Sequence, residues 1–109
     1  MKVFICQDMK GLSIDRILEI RSKARKYIND NFVIKNEEIV EIIDSMWLKD
    51  YLDWCLIEDE LKPLWYLGKS LELLAISDVC MFTNDNITGA FYNTIQGSCV
   101  DYNIKAIYL

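Results

Sequence analysis

Three aspartates stand beside short apolar runs, where chemistry borne on a sheet is usually placed. Asp44 follows residues 38–43, Asp78 precedes Val79-Cys80-Met81-Phe82, and Asp85 lies in the polar loop 83–89. A carboxylate pair at such positions can hold sugar hydroxyls or move protons. As turn or cap residues, the same aspartates need no function. Asp44 and Asp85 make the better pair, because both follow predicted strands. Asp78 precedes one and belongs at the opposite edge. The chain has no His, which removes the imidazole base, the Ser-His or Cys-His pair and the His-ligated metal. Its four cysteines are Cys6, Cys55, Cys80 and Cys99. They are widely spaced and form no CxxC pair, so they are expected to be reduced core residues and no metal site is expected.

The formal net charge is −5 over 109 residues, and it is uneven. Residues 1–30 carry +3 and residues 31–109 carry −8. An acidic chain of this kind lacks the broad basic face that a long nucleic acid needs. The basic set Arg16, Arg21, Lys23, Arg25 and Lys26 falls within one predicted helix. It fits a solvated face or, failing that, a site for a small anion. No apolar run approaches the roughly 20 residues of a membrane span. The opening apolar stretch is too short for a signal peptide. A cytoplasmic protein of one domain, residues 1–109, is expected.

The elements that must position these residues follow from local patterning. Residues 2–5 form a short apolar run, expected to be a buried strand. Ser13 is a plausible N-cap for a helix from Ile14 to about Asn29, ended by Asn29-Asp30-Asn31. Residues 38–43 predict a second strand. Residues 46–62 carry Trp47, Tyr51 and Trp54 beside Leu48, Leu52 and Leu56, a helix apolar over much of its circumference. Pro63 suits the first turn of the next helix. Residues 79–82 predict a third strand, residues 91–102 a last helix with Asn103 at its C-terminal end, and residues 104–108 the final strand. Short apolar strands alternating with helices predict an α/β fold, a small three-layer sandwich with a four-stranded parallel sheet in order 2-1-3-4. Ligands in such sheets sit beyond the carboxyl ends of the strands, at the switch between strands 1 and 3.

The run Met1-Lys2-Val3-Phe4-Ile5-Cys6-Gln7-Asp8-Met9-Lys10-Gly11 resembles the opening of a group of small, mostly phage-borne proteins. That group belongs to the nucleoside 2-deoxyribosyltransferase-like superfamily. The likeness continues at Ile42-Ile43-Asp44-Ser45. It is strongest over Pro63-Leu64-Trp65-Tyr66-Leu67-Gly68-Lys69-Ser70-Leu71-Glu72-Leu73-Leu74-Ala75 and Ser77-Asp78-Val79, and resumes at Tyr102-Asn103-Ile104. The resemblance implies a flavodoxin-like sheet holding a nucleoside or nucleotide at the switch point. In active relatives a Glu at the opening of the last helix attacks the anomeric carbon, a role that suits a carboxylate facing an oxocarbenium-like centre.

This chain departs from that pattern where the Glu should be. Counting back from Tyr102 places Ile95 there, a one-residue slip places Gln96 there, and counting forward from Gly89 places Asn93 there. No Asp or Glu occurs between Ile87 and Val100. An amide or an alkyl group cannot form the glycosyl ester, so no catalytic residue is assigned. The loop after the first strand also carries Asp8 where relatives often have Pro. The expected ligand-binding residues are Gln7, Met9, Lys10, Gly11, Asp44, Asp85, Asn86, Gly89, Asn93 and Gln96, with Lys10 the cation nearest a phosphate. No cofactor is expected.

Three functional readings follow. The first is a binding protein that keeps the nucleoside pocket without catalysis. As a phage protein in the host cytoplasm it would sequester a nucleotide signal in host–virus conflict. The second is a nucleosidase or deoxyribosyltransferase using a relocated carboxylate, Asp44 or Asp85. The third is an inhibitor that binds another protein through its aromatic surface. Trp47, Tyr51, Trp54, Trp65 and Tyr66 fit a core, a homodimer interface or a wall that stacks on a base. Closed two-fold assembly is the commonest outcome for exposed apolar faces, so a homodimer or higher homo-oligomer is expected.

Overall fold

The computed structural model describes residues 1–7, 12–45, 57–83 and 89–109. The strands are β1 (Lys2–Cys6), β2 (Glu41–Ile43), β3 (Val79–Phe82) and β4 (Lys105–Tyr108). They form one parallel sheet in the order β2-β1-β3-β4, as the alternation of elements predicts. The helices among the described residues are α1 (Ile14–Ile28), α2 (Lys62–Ala75) and α3 (Ala90–Asp101).

The sequence of β1 and β3 explains their central places. Val3, Phe4, Ile5 and Cys6 are all fully buried, and Val79, Cys80, Met81 and Phe82 nearly so. A strand apolar at every position can be stable only where both faces are covered. β2 and β4 are partly exposed and take the edges. Alternation along the strands divides the core in two. Val3, Ile5, Val79 and Met81 meet Ala24 and Ile28 of α1. Phe4, Cys6, Cys80 and Phe82 meet Leu74 of α2 and Tyr92, Ile95 and Cys99 of α3. The chain leaves β1 toward β2, then crosses back past β1 to β3. That reversal puts α1 on one face and α2 and α3 on the other, and it creates the switch point between β1 and β3.

The helix ends are set by local chemistry. Ser13 caps α1, its Oγ accepting from the Arg16 amide at 3.2 Å. Pro63 lies in the first turn of α2. At the end of α3, Asn103 adopts a left-handed φ of 59°. The Ile104 amide donates to the Cys99 carbonyl at 2.9 Å, and the Asn103 amide to Val100 at 3.4 Å. This is the Schellman closure that Gly or Asn permits.

Two boundaries differ from the sequence expectation. Asn29-Asp30-Asn31 does not end the first helix, which continues as a wider turn over Asn29–Ile34. The wider pitch buries Phe32 in the α1-side core and sets it edge-on to Tyr27 at 6.5 Å. Burial of one aromatic ring outweighs the weak helix-stopping preference of three polar residues. The second strand is shorter than residues 38–43. Pairing begins with Glu41 opposite Lys2, and Ile39 is 91% exposed. Glu37 takes a left-handed φ of 55°, which turns the chain before the ladder starts.

Asp78 stands at the amino edge of the sheet, as its place before β3 implies. Its Oδ2 accepts from the Lys2 amide at 2.7 Å, tying β1 to the entry of β3. Cys6, Cys80 and Cys99 are buried and free, in agreement with reduced core thiols. Contact with the Cys6 thiol, with burial added, holds the Cys80 thiol well above the ordinary range. Contact with Cys80, then burial, does the same for Cys99. Such thiols are poor nucleophiles. Cys55 lies outside the described residues.

Candidate functional site

The carboxyl edge of the sheet gathers Gln7 after β1, Asp44 and Ser45 after β2, Thr83 after β3 and Gly89 at the start of α3. Most of the buried polarity among the described residues collects here. Among the described residues, the buried polar or charged ones are Gln7, Arg21, Ser45 and Ser70. Ser70 lies one turn along α2 from Tyr66, whose hydroxyl also reaches this edge.

Arg21 is the centre of this group. It is only 3% exposed, on the inner side of α1. Its guanidinium donates to Asp44 Oδ1 and, at 3.1 Å, to Ser45 Oγ. Arg25, one turn further, donates to Asp44 Oδ2 at 2.6 Å. Both carboxylate oxygens of Asp44 are therefore held by arginines. Ser45 Oγ lies 3.3 Å from the Tyr66 hydroxyl, which donates to the Gln7 carbonyl at 3.2 Å. Tyr66 has one hydroxyl proton, and it goes to Gln7. Ser45 must then donate to Tyr66. The result is a directed chain in which Arg21 donates to Ser45, Ser45 to Tyr66 and Tyr66 to the β1 backbone. Burial pushes the Tyr66 hydroxyl above its ordinary pKa, which keeps it protonated as this chain requires. The Tyr66 ring stacks on Phe91 at 5.5 Å, linking α2 to the first turn of α3.

Gln7 differs from Ser45 and Tyr66, whose hydroxyls are both engaged. Its backbone carbonyl is used, but its side-chain Oε1 and Nε2 have no hydrogen-bond partner among the described residues, at 1% exposure. Buried polar atoms are nearly always paired. Leaving such a group unpaired costs about 1–3 kcal/mol. The strand pleat carries Gln7 on the same face as Val3 and Ile5, at the mouth of the switch point.

Gly89 begins α3 with φ 99° and ψ 168°. An added Cβ would meet nothing within 4 Å, so the requirement for glycine there is conformational. The Asn93 amide donates to the Gly89 carbonyl at 3.1 Å, and its side chain is exposed. Gln96 is half-buried and, at 1.5 Å per residue, stands about 10 Å along the axis from Gly89. Ile95 is fully buried against Phe4, Phe82 and Tyr92. Of Ile95, Gln96 and Asn93, only Asn93 lies in the first helical turn with its side chain outside the core.

Met9, Lys10, Gly11, Asp85 and Asn86 lie outside the described residues, as do Asp8, Trp47, Tyr51 and Trp54. The structure thus brings Gln7, Asp44 and Gly89 to one edge. Of the aromatic set, Tyr66 is buried and Trp65 is half-buried with the Lys69 ammonium 5.8 Å from its ring. Sequence reasoning missed Arg21 and Ser45, and it treated Tyr66 only as a ring. A signal for Arg21 was present. It sits at the helical interval between Ile17 and Ala24, within the stripe Ile17, Arg21, Ala24, Ile28 that α1 buries.

Among the described residues, no group of three or more His, Cys, Asp or Glu could hold a metal ion. Among them, too, no helix is long and apolar enough to cross a membrane. No family model, curated protein or solved structure matches the chain. The likeness to the nucleoside 2-deoxyribosyltransferase-like group therefore rests on the motifs of the sequence itself.

Proposed function

We propose that this protein binds a nucleoside or nucleotide-derived small molecule at the carboxyl edge of its sheet and leaves the glycosidic bond intact. The observation that supports this most is the buried polar cluster of Gln7, Arg21, Ser45 and Tyr66, gathered at one edge of an otherwise apolar core. Small-molecule sites combine apolar walls with a few convergent polar groups, and in open parallel sheets they lie at this edge. Two facts favour binding over catalysis. The first turn of α3 has no acidic residue, and Asp44 is engaged by Arg21 and Arg25. Without a carboxylate nucleophile the covalent step is lost, and acid–base assistance alone supplies only ~10²–10⁴-fold.

The resemblance extends the proposal to a phage-encoded protein of the host cytoplasm that sequesters a nucleotide signal. The experiment is to incubate the purified protein with nucleosides, deoxynucleoside monophosphates and ADP-ribose. Calorimetry follows binding and chromatography follows released base. Heat without base release is the expected result. Base release that Asp44→Asn or Asp85→Asn abolishes would establish the enzyme reading instead. An absence of heat with every ligand would favour the protein-binding inhibitor.

A homodimer or higher homo-oligomer is part of the same proposal. It rests on the aromatic content of residues 47–66. Light scattering at micromolar concentration is expected to give at least twice the 12.8 kDa chain mass. A monomer would remove this part.

A further inference from the structure

We infer that the side-chain amide of Gln7 is the base-reading group of this site, and that its ligand presents a hydrogen-bond donor beside an acceptor on one planar edge. The inference rests on the nucleoside reading above and specifies what that reading leaves open. Gln7 is 1% exposed and follows a central strand whose last residue, Cys6, is fully buried. Its backbone carbonyl is already taken by Tyr66. Both polar atoms of its side chain lack a partner among the described residues. A purely structural Gln would spend at least one of these atoms on the fold, since buried side-chain amides are ordinarily satisfied.

An amide offers one acceptor and an adjacent donor in a plane. Its complement is a planar group with the reverse pair, such as adenine N6–H beside N7, cytosine N4–H beside N3, or the N–H and carbonyl of uracil. Gln pairs bidentately with such an edge elsewhere in biology. No internal contact fixes which end of the amide is which, so a ligand can select either orientation. The surroundings favour a base over a sugar. Ile5 and Met81, on the sheet face that carries Gln7, are fully buried. A base edge makes its two bonds and lays the rest of its ring against apolar surface. A sugar diol brings further hydroxyls that would need partners of their own.

The test compares the wild-type protein with Gln7→Met, which keeps the length of the side chain and removes both polar atoms. The probes are adenosine, cytidine, guanosine and uridine, with ribose 5-phosphate as the base-free control. At least one nucleoside is expected to bind the wild type, and Gln7→Met to weaken it roughly 10–100-fold. Ribose 5-phosphate should bind both proteins equally. Without ligand, Gln7→Met should melt about 5 °C higher, because two unpaired buried polar atoms are gone.

Equal nucleoside affinity in the two proteins would overturn the role of Gln7 and leave the nucleoside reading standing. An equal loss for ribose 5-phosphate would overturn it too, since Gln7 would then read the sugar. A variant that melts lower would show that the amide is satisfied within the fold, which also overturns the inference. Failure of every nucleoside to bind the wild type would remove both this inference and the reading it rests on.

Discussion

Ile95→Glu is expected to unfold most of the protein at neutral pH, at a cost of at least about 4 kcal/mol. Ile95 is fully buried in the core, packed with Phe4, Leu74, Phe82 and Tyr92 on the α2–α3 side of the sheet. The substitution removes a buried aliphatic side chain and brings a carboxyl group into the same space. A domain of this size has only about 5–15 kcal/mol of stability in total. The cost should depend on pH in a defined direction. Burial raises the carboxyl pKa above its unfolded value of about 4.3, so the native state holds the proton more tightly than the unfolded chain. Stability then falls as pH rises above about 4.3 until the raised native value is passed. Urea unfolding at pH 5 and pH 8 should show the lower midpoint at pH 8.

Asn93→Glu is the informative contrast. Asn93 is exposed in the first turn of α3, where a carboxylate gains slightly from the helix N-terminus. Its effect should stay within about 0.5 kcal/mol. If Ile95→Glu proved as harmless as Asn93→Glu, α3 would not face the sheet as described. The contrast bears on function as well. The register counted back from Tyr102 sets Ile95 opposite the nucleophile of the group that the sequence resembles, and this backbone commits that position to the core. A carboxylate at the mouth of the site would have to stand near Asn93.

Arg21→Met should cost about 3 kcal/mol. The guanidinium is buried, paired with Asp44 and donating to Ser45. Its loss takes away the first donor of the chain that runs through Ser45 and Tyr66 to the β1 backbone. It also leaves Asp44 with Arg25, half of whose side chain is exposed. Removing one partner of a buried pair is far more damaging than removing an exposed one, because the remaining group keeps its desolvation penalty. Arg25→Ala should therefore cost less than about 1 kcal/mol, although it bonds the same aspartate. Urea midpoints at unchanged slope would measure both. Similar losses for the two variants would mean that Arg21 is not the buried partner. The double variant Arg21→Met/Asp44→Asn should recover part of the loss, since the carboxylate that has lost its buried partner is then neutral.

Much of the architecture could be read from local patterns. Residues 79–82 are apolar without interruption, and a strand of that kind has few places outside the middle of a parallel sheet. Residues 2–5 carry the same message. Ser13 before an apolar-periodic segment, Pro63 before another and Asn103 after a third mark helix ends through chemistry that acts within a few residues. Strand order followed from alternation and the handedness of crossovers. Gln7, Asp44 and Gly89 could be placed together because the carboxyl edge of such a sheet is known once the strands are.

What only the tertiary structure decided depends on partners distant in sequence. Arg21 belongs to a basic run that looks solvated. It is buried because Asp44 and Ser45, more than 20 residues later, arrive at the same edge and receive its donors. By sequence alone Asp44 is available for sugar hydroxyls, yet Arg21 and Arg25 hold both of its carboxylate oxygens. The helix after Ile28 continues because Phe32 finds the α1-side core, which outweighs the local preference of three polar residues. Gln7 was expected at the site on position alone. That both ends of its amide go without a partner among the described residues depends on everything packed around it. Local sequence sets where elements start and stop, because caps and apolar runs act over a few residues. Which polar groups are paired and which are left unpaired among the described residues is settled by contacts between β1, β2, α1 and α2, brought together only when the sheet forms.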